Sequence, residues 1–109
     1  MEYNLTRRDL EVFCIKILAD AINNILIEDF KDRYVNENRQ LDKLWLLSND
    51  KNLPLSFLNV CSVLEINEPQ RIRHIIIILS DSNKPKHIEQ KKIIKRIIRE
   101  IFEDIKCGE

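Results

Sequence analysis

The sequence predicts an all-α domain of about five helices. Apolar residues recur at helical spacing over most of the 109 residues. Two polar stretches, Ser48 to Pro54 and Ser80 to Pro85, divide the pattern into helix-length pieces. The one run that reads as a strand, Ile75 to Ile78, has no second run to pair with. A chain of this length forms one domain, residues 1–109, that buries a core without disulfide or metal staples.

The first helix is predicted from about residue 7 to about residue 30. Thr6 with Asp9 three residues on is a variant capping box, in which side chains at the cap and at the third helical position each bond the other's backbone N–H. Leu10, Phe13, Ile17, Leu18, Ala21, Ile25 and Phe30 follow helical spacing, and Val12, Cys14, Ile22 and Ile27 widen the stripe. Such a helix is central to the domain or also covers a partner. Asn36 or Asn38 is placed to cap a second helix through Leu47, with Leu41, Leu44, Trp45 and Leu47 on its apolar side. Trp45 is expected to anchor that helix to the loop around Pro54, and Ser48 and Asp50 to make turn hydrogen bonds.

Ser56 caps a third helix, Phe57 to Leu64, whose buried face is read as Leu58, Cys61 and Leu64. The turn is Glu65-Ile66-Asn67-Glu68. Pro69 then opens a fourth helix, because the first helical N–H has no partner to lose. Ile72, Ile75, Ile76 and Leu79 form its inner face. A last helix is predicted from about Pro85 to about Lys106.

Net charge is zero but unevenly spread. Residues 1–70 hold 8 basic against 12 acidic side chains, residues 71–99 hold 9 against 2, and residues 100–109 hold 1 against 4. A polyanion would meet the 71–99 segment. The only glycine is Gly108, so the glycine-rich phosphate loops of P-loop and dinucleotide folds are excluded. No apolar run approaches the roughly 18–20 residues of a membrane span, and the start of the chain lacks the apolar core of a signal peptide. The expected location is therefore cytoplasmic, where Cys14, Cys61 and Cys107 are reduced thiols.

Helices three and four together outline a helix-turn-helix, which offers its second helix to the major groove of DNA. Gln70, Arg71, Arg73 and His74 lie off the isoleucine face near the start of that helix. Arginine and glutamine make bidentate contacts with guanine and adenine edges. Lys84, Lys86, Lys91, Lys92 and Lys95, with Arg96 and Arg99, follow as candidate phosphate contacts. Glu65 stands where the ordinary motif has glycine or another permissive residue, and its charge opposes DNA.

The residues Trp45, Ser48, Asp50, Pro54, Ser56, Phe57, Val60, Cys61, Leu64 and Ile66, at this spacing, resemble a family of small bacterial proteins. Its members read tryptophan, aliphatic, any residue, serine, acidic, aspartate, then proline, aromatic, serine, phenylalanine, followed by isoleucine-cysteine, leucine-glycine and a basic second helix. The resemblance covers about a third of the chain. It implies a helix-turn-helix-like pair and no established activity. This chain departs at Leu55, where an aromatic is usual, and at Glu65, where glycine is usual.

Other chemistry is poorly supplied. His74 and His87, the only histidines, do not cluster with cysteines at metal-ligand spacing, so neither a metal nor another cofactor is expected. Cys61 falls on a buried face and reads as a core residue. No catalytic constellation emerges, and an enzyme is not expected. The leading expectation is a DNA-binding regulator acting as a dimer. The alternative is a helical protein-interaction module without nucleic-acid contact, consistent with the zero net charge and the acidic first seventy residues. The dimer is expected through the last helix, the first, or both. Ile94, Ile97, Ile98, Ile101, Phe102 and Ile105, extended by Ile88 and Ile93, cover more of the last helix than the roughly 100° stripe a small domain needs.

Overall fold

The computed structural model describes residues 6–27 and 33–108, the side chains of 106–108 excepted. Five helices follow in order: α1 (Arg7–Ile25), α2 (Arg33–Leu47), α3 (Phe57–Val63), α4 (Pro69–Ser80) and α5 (Pro85–Gly108). No strand occurs among the described residues, and the four isoleucines are helical. No helix among them is long and apolar enough to cross a membrane.

α1 begins at the predicted capping box: Asp9 N–H donates to Thr6 Oγ1 and Thr6 N–H donates to Asp9 Oδ2, both at 3.1 Å. Hydrogen bonding from Thr6, its backbone N–H first and its side chain second, holds the Asp9 carboxyl below its ordinary pKa. α1 is central, packing against each of the other four helices. It ends at Ile25, and the residues expected to extend it from Glu28 to Phe30 lie outside the described residues.

The core joins Ile25 and Leu26 at the end of α1, Leu46 of α2, Phe57 and Cys61 of α3, and Ile76 and Leu79 of α4. α3 starts where predicted, with Ser56 Oγ accepting from Asn59 N–H at 3.3 Å. Its buried face is Phe57, Val60 and Cys61, with Leu58 and Leu64 half-buried, one position round from the expected set. The loop before it is tied down by its own side chains. Asp50 N–H donates to Ser48 Oγ, Asn52 N–H to Asp50 Oδ1, and Asn59 Nδ2 to Lys51 O and Leu53 O. Trp45 Nε1 donates to Leu55 O at 2.9 Å, and its ring meets Phe57 edge to face, centroids 5.5 Å apart. That is the anchoring role expected of it.

α2 departs from expectation. It starts at Arg33, so Asn36 and Asn38 lie inside it and cap nothing. Its inward side carries Arg39 and Leu46, seven residues or two turns apart. Leu41, Leu44 and Leu47, expected inside, are 63%, 67% and 50% exposed. The cause is the Arg39 guanidinium, whose Nε donates to Ile25 O at 3.2 Å and whose Nη2 donates to Ser80 O at 3.1 Å. Turning Arg39 inward turns Leu41 and Leu44 outward.

α4 is rotated in the same way. Arg73, Ile76, Leu79 and Ser80 are buried, while Ile75, expected inside, is 47% exposed. Arg73 Nε donates to Leu46 O at 2.6 Å, Nη1 to Asn49 Oδ1 at 2.8 Å, and Nη2 to Ser48 O. Its guanidinium also lies 4.9 Å from the centroid of the Phe57 ring, within cation–π range. Lys91 of α5, also buried, donates from Nζ to Ser82 O at 3.0 Å, just past α4.

A helix ends in carbonyls without intrahelical partners and carries partial negative charge there. None of α1, α2, α3 or α4 has a basic residue in its own last turn. For α1, α2 and α4 the cation comes instead from another helix. Arg39 serves the ends of α1 and α4, Arg73 the end of α2, and Lys91 the carbonyl beyond α4.

Asp81 completes the charge set, meeting Lys43 Nζ at 2.9 Å and Arg39 Nη2 at 3.7 Å. The bond from Lys43 holds the Asp81 carboxyl below its ordinary value. A depressed carboxyl stabilises the fold above its unfolded pKa, near 4, and loses that effect as pH falls through its folded value. Asp81 is 61% exposed, so the contribution is under about 1 kcal/mol. Urea unfolding of Asp81→Asn is expected to show that loss at pH 7, with the gap to wild type closing as pH falls below about 4.

Candidate nucleic-acid interface

The turn between α3 and α4 determines how α4 is presented. Glu65 N–H donates to Ser62 O at 3.1 Å and Ile66 N–H to Cys61 O at 2.9 Å. This pair of bonds is a Schellman closure, which satisfies the last carbonyls of a helix through one residue in the left-handed region. That residue is Glu65, with φ of 58°. It is the position where glycine was expected, and the backbone adopts the glycine-type conformation with a glutamate in place. Ile66, next in line, packs against the core. Pro69 then occupies the first turn of α4.

The solvent face of α4 carries Gln70, Arg71 and His74, all exposed, together with Ile75 and Ile78. Arg71 Nη1 lies 3.2 Å from Glu68 Oε2 in an exposed pair. Three of the four side chains expected to read bases are therefore outside. Arg73 is not. It is 7% exposed and engaged with the end of α2, so its assignment as a base contact is corrected to a structural clamp. Lys91, expected to hold phosphate, is 5% exposed and bound to Ser82 O, and is corrected in the same way.

The remaining basic residues are spread along α5. Lys84 and Lys86 are exposed at its start, close in sequence to the end of α4. Lys92, Arg96 and Arg99 are exposed further on. Lys95 is half-buried and, with Arg99, lines a groove between α5 and Lys16 and Asn23 of α1. A second groove runs beside α4, lined by Leu47, Gln70, His74, Ile77 and Ile78. Ile78 of α4 thus shares this groove with Leu47 of α2.

The expected dimer residues also divide. Ile98 and Ile105 are buried within the chain, and Ile94 and Phe102 are half-buried. Ile97 and Ile101 are exposed, joined by Ile93. Among the described residues, no three His, Cys, Asp or Glu side chains are grouped to hold a metal ion. Cys14 and Cys61 are buried free thiols. Burial raises the Cys61 pKa against the opposing effect of Arg73, which disfavours a reactive thiolate.

Three outcomes are expected in denaturation experiments. Glu65→Gly removes the left-handed penalty and raises stability by about 1 kcal/mol, net of the extra backbone freedom of glycine. Arg73→Ala strands Leu46 O and Ser48 O and costs about 3 kcal/mol, with lysine recovering only part because it lacks the planar fork. Arg71→Ala shifts stability by less than about 0.5 kcal/mol. Equal effects of the two arginine substitutions on stability would contradict the assignment of Arg73 as a clamp.

The chain matches no family model, no curated protein and no solved structure.

Proposed function

We propose that this chain is a small bacterial DNA-binding protein of helix-turn-helix type, a transcriptional regulator acting as a dimer in the cytoplasm. The observation that carries the reading is the α3–α4 pair. A Schellman turn through left-handed Glu65 leads into a helix whose first half turns Gln70, Arg71 and His74 to solvent. Gln70 and Arg71 have the donor geometry to read adenine and guanine edges. Lys84, Lys86 and Lys92 are exposed cations available to phosphates. Ile75 and Ile78 suit contact with thymine methyl groups. The buried free thiols of Cys14 and Cys61 agree with a reducing compartment.

A second reading, a helical protein-interaction module without nucleic-acid contact, is favoured by Leu41, Leu44 and Leu47. All three face solvent and Leu47 lines a groove with Ile78, and exposed apolar surface of this kind marks interaction sites. Under that reading Leu44→Glu abolishes capture of a defined protein partner.

A duplex-DNA titration at two salt concentrations tests the leading reading. Wild type is expected to bind at low salt and to weaken steeply as salt rises. Arg71→Ala is expected to weaken specific binding by about tenfold or more. Equal, feeble binding by wild type and Arg71→Ala at low salt would overturn it.

A further inference from the structure

The exposed side of α5 has a pattern that its own domain does not use. Ile93, Ile97 and Ile101 recur every four residues and are 40%, 46% and 36% exposed, while Ile98 and Ile105 are buried against the chain. Beside this stripe run charges that change sign at its centre. Arg96 precedes Ile97 and Glu100 follows it on the same flank of the stripe, with Lys92 and Asp104 one turn further out along the helix, and all four are exposed.

We propose that α5 is the contact between two copies of this chain, packed antiparallel with the two-fold axis at Ile97. This deepens the dimer part of the function proposed above and does not depend on DNA contact. In that arrangement Ile97 meets its own copy and Ile93 meets Ile101 of the second copy. Arg96 then lies within about 3 Å, along the axis, of the level of the other Glu100. Arg96 and Glu100 lie on the same flank of the stripe, and same flanks face each other in an antiparallel pair. A parallel two-fold pair brings opposite flanks together, so Arg96 and Glu100 make no such pairs there. Charge complementarity therefore selects a second copy in the antiparallel sense.

The arrangement has a metric consequence. α5 begins at Pro85, twelve residues before Ile97. At about 1.5 Å per residue the two α5 starts lie roughly 36 Å apart, at opposite ends of the pair. Each is joined to its α4 through residues 81–84 only. A separation of about 34–36 Å is one turn of B-DNA, the spacing between successive half-sites on one face of the duplex.

The test uses the full chain without nucleic acid, in a Cys107→Ser background. Light scattering is expected to give a dimer, twice the 13.0 kDa of the chain. On mild oxidation Ile97→Cys is expected to form a covalent dimer with itself. Ile93→Cys is expected to cross-link only when mixed with Ile101→Cys. Arg96→Glu, at an exposed position, keeps the helical circular dichroism and weakens dimerisation by about tenfold or more, and adding Glu100→Arg restores it. A wild-type monomer at micromolar concentration would overturn the proposal. So would self-cross-linking of Ile93→Cys, which is the signature of a parallel pair. Because no readout involves DNA, a failed DNA titration leaves these results unchanged.

Discussion

The fold depends on cations that belong to one helix and complete the end of another. Arg39 of α2 reaches Ile25 O at the end of α1 and Ser80 O at the end of α4, and Arg73 of α4 reaches back to Leu46 O and Ser48 O at the end of α2. Guanidinium is suited to this because its donors diverge in a plane and two carbonyls are satisfied at once. A buried charge is tolerated only when its hydrogen bonds are made, and these are. Among the described residues, no buried side-chain polar atom lacks a partner. The clamps also set the rotation of α2 and α4 about their axes. With Arg39 and Arg73 inside, Leu41, Leu44, Ile75 and Ile78 are turned out, and Gln70, Arg71 and His74 become the polar part of the same surface. The candidate interface is thus a by-product of how the helix ends are neutralised.

Much of the fold was legible because its signals are local. Thr6 with Asp9, Ser56 and Pro69 mark helix starts through contacts three residues away or less, and all three helices begin where these residues place them. The rotations were not legible. Arg39 and Ser80 are 41 residues apart and Arg73 and Leu46 are 27 apart. In a hydrophobic pattern an arginine reads as an outward residue, and nothing nearby marks these two as exceptions. The local pattern therefore places α2 on its leucine face and groups Arg73 with Arg71, two positions earlier. The surplus of isoleucine on α5 was legible, but its division into a buried row and an exposed row requires the position of α1.

The α3–α4 turn combines both kinds of information. The chain closes α3 with the hydrogen bonds that a glycine turn makes, although the residue at its apex carries a side chain. Glu65 lies 3.8 Å from Arg7 in an exposed pair, and Arg7 also donates to Val63 O at 2.8 Å. The start of α1 is thereby tied to the end of α3. Ile66 on one side and Pro69 on the other hold the connection short. The direction of α4 is set by a few residues of backbone geometry, and its rotation by a guanidinium from within it.

The only tryptophan of the chain stands at the meeting point of these constraints. Trp45 donates to Leu55 O, meets the edge of Phe57, and Phe57 in turn lies under the Arg73 guanidinium. Its indole fluorescence is therefore an intrinsic optical probe of the junction between α2, α3 and α4. Unfolding exchanges a fixed hydrogen bond and an aromatic neighbour for water, which moves the emission to longer wavelength. Events confined to the far half of α5, beyond the residues around Trp45, leave it unchanged. The molecule carries its own reporter for the part of the surface assigned to recognition, separate from the part assigned to self-association.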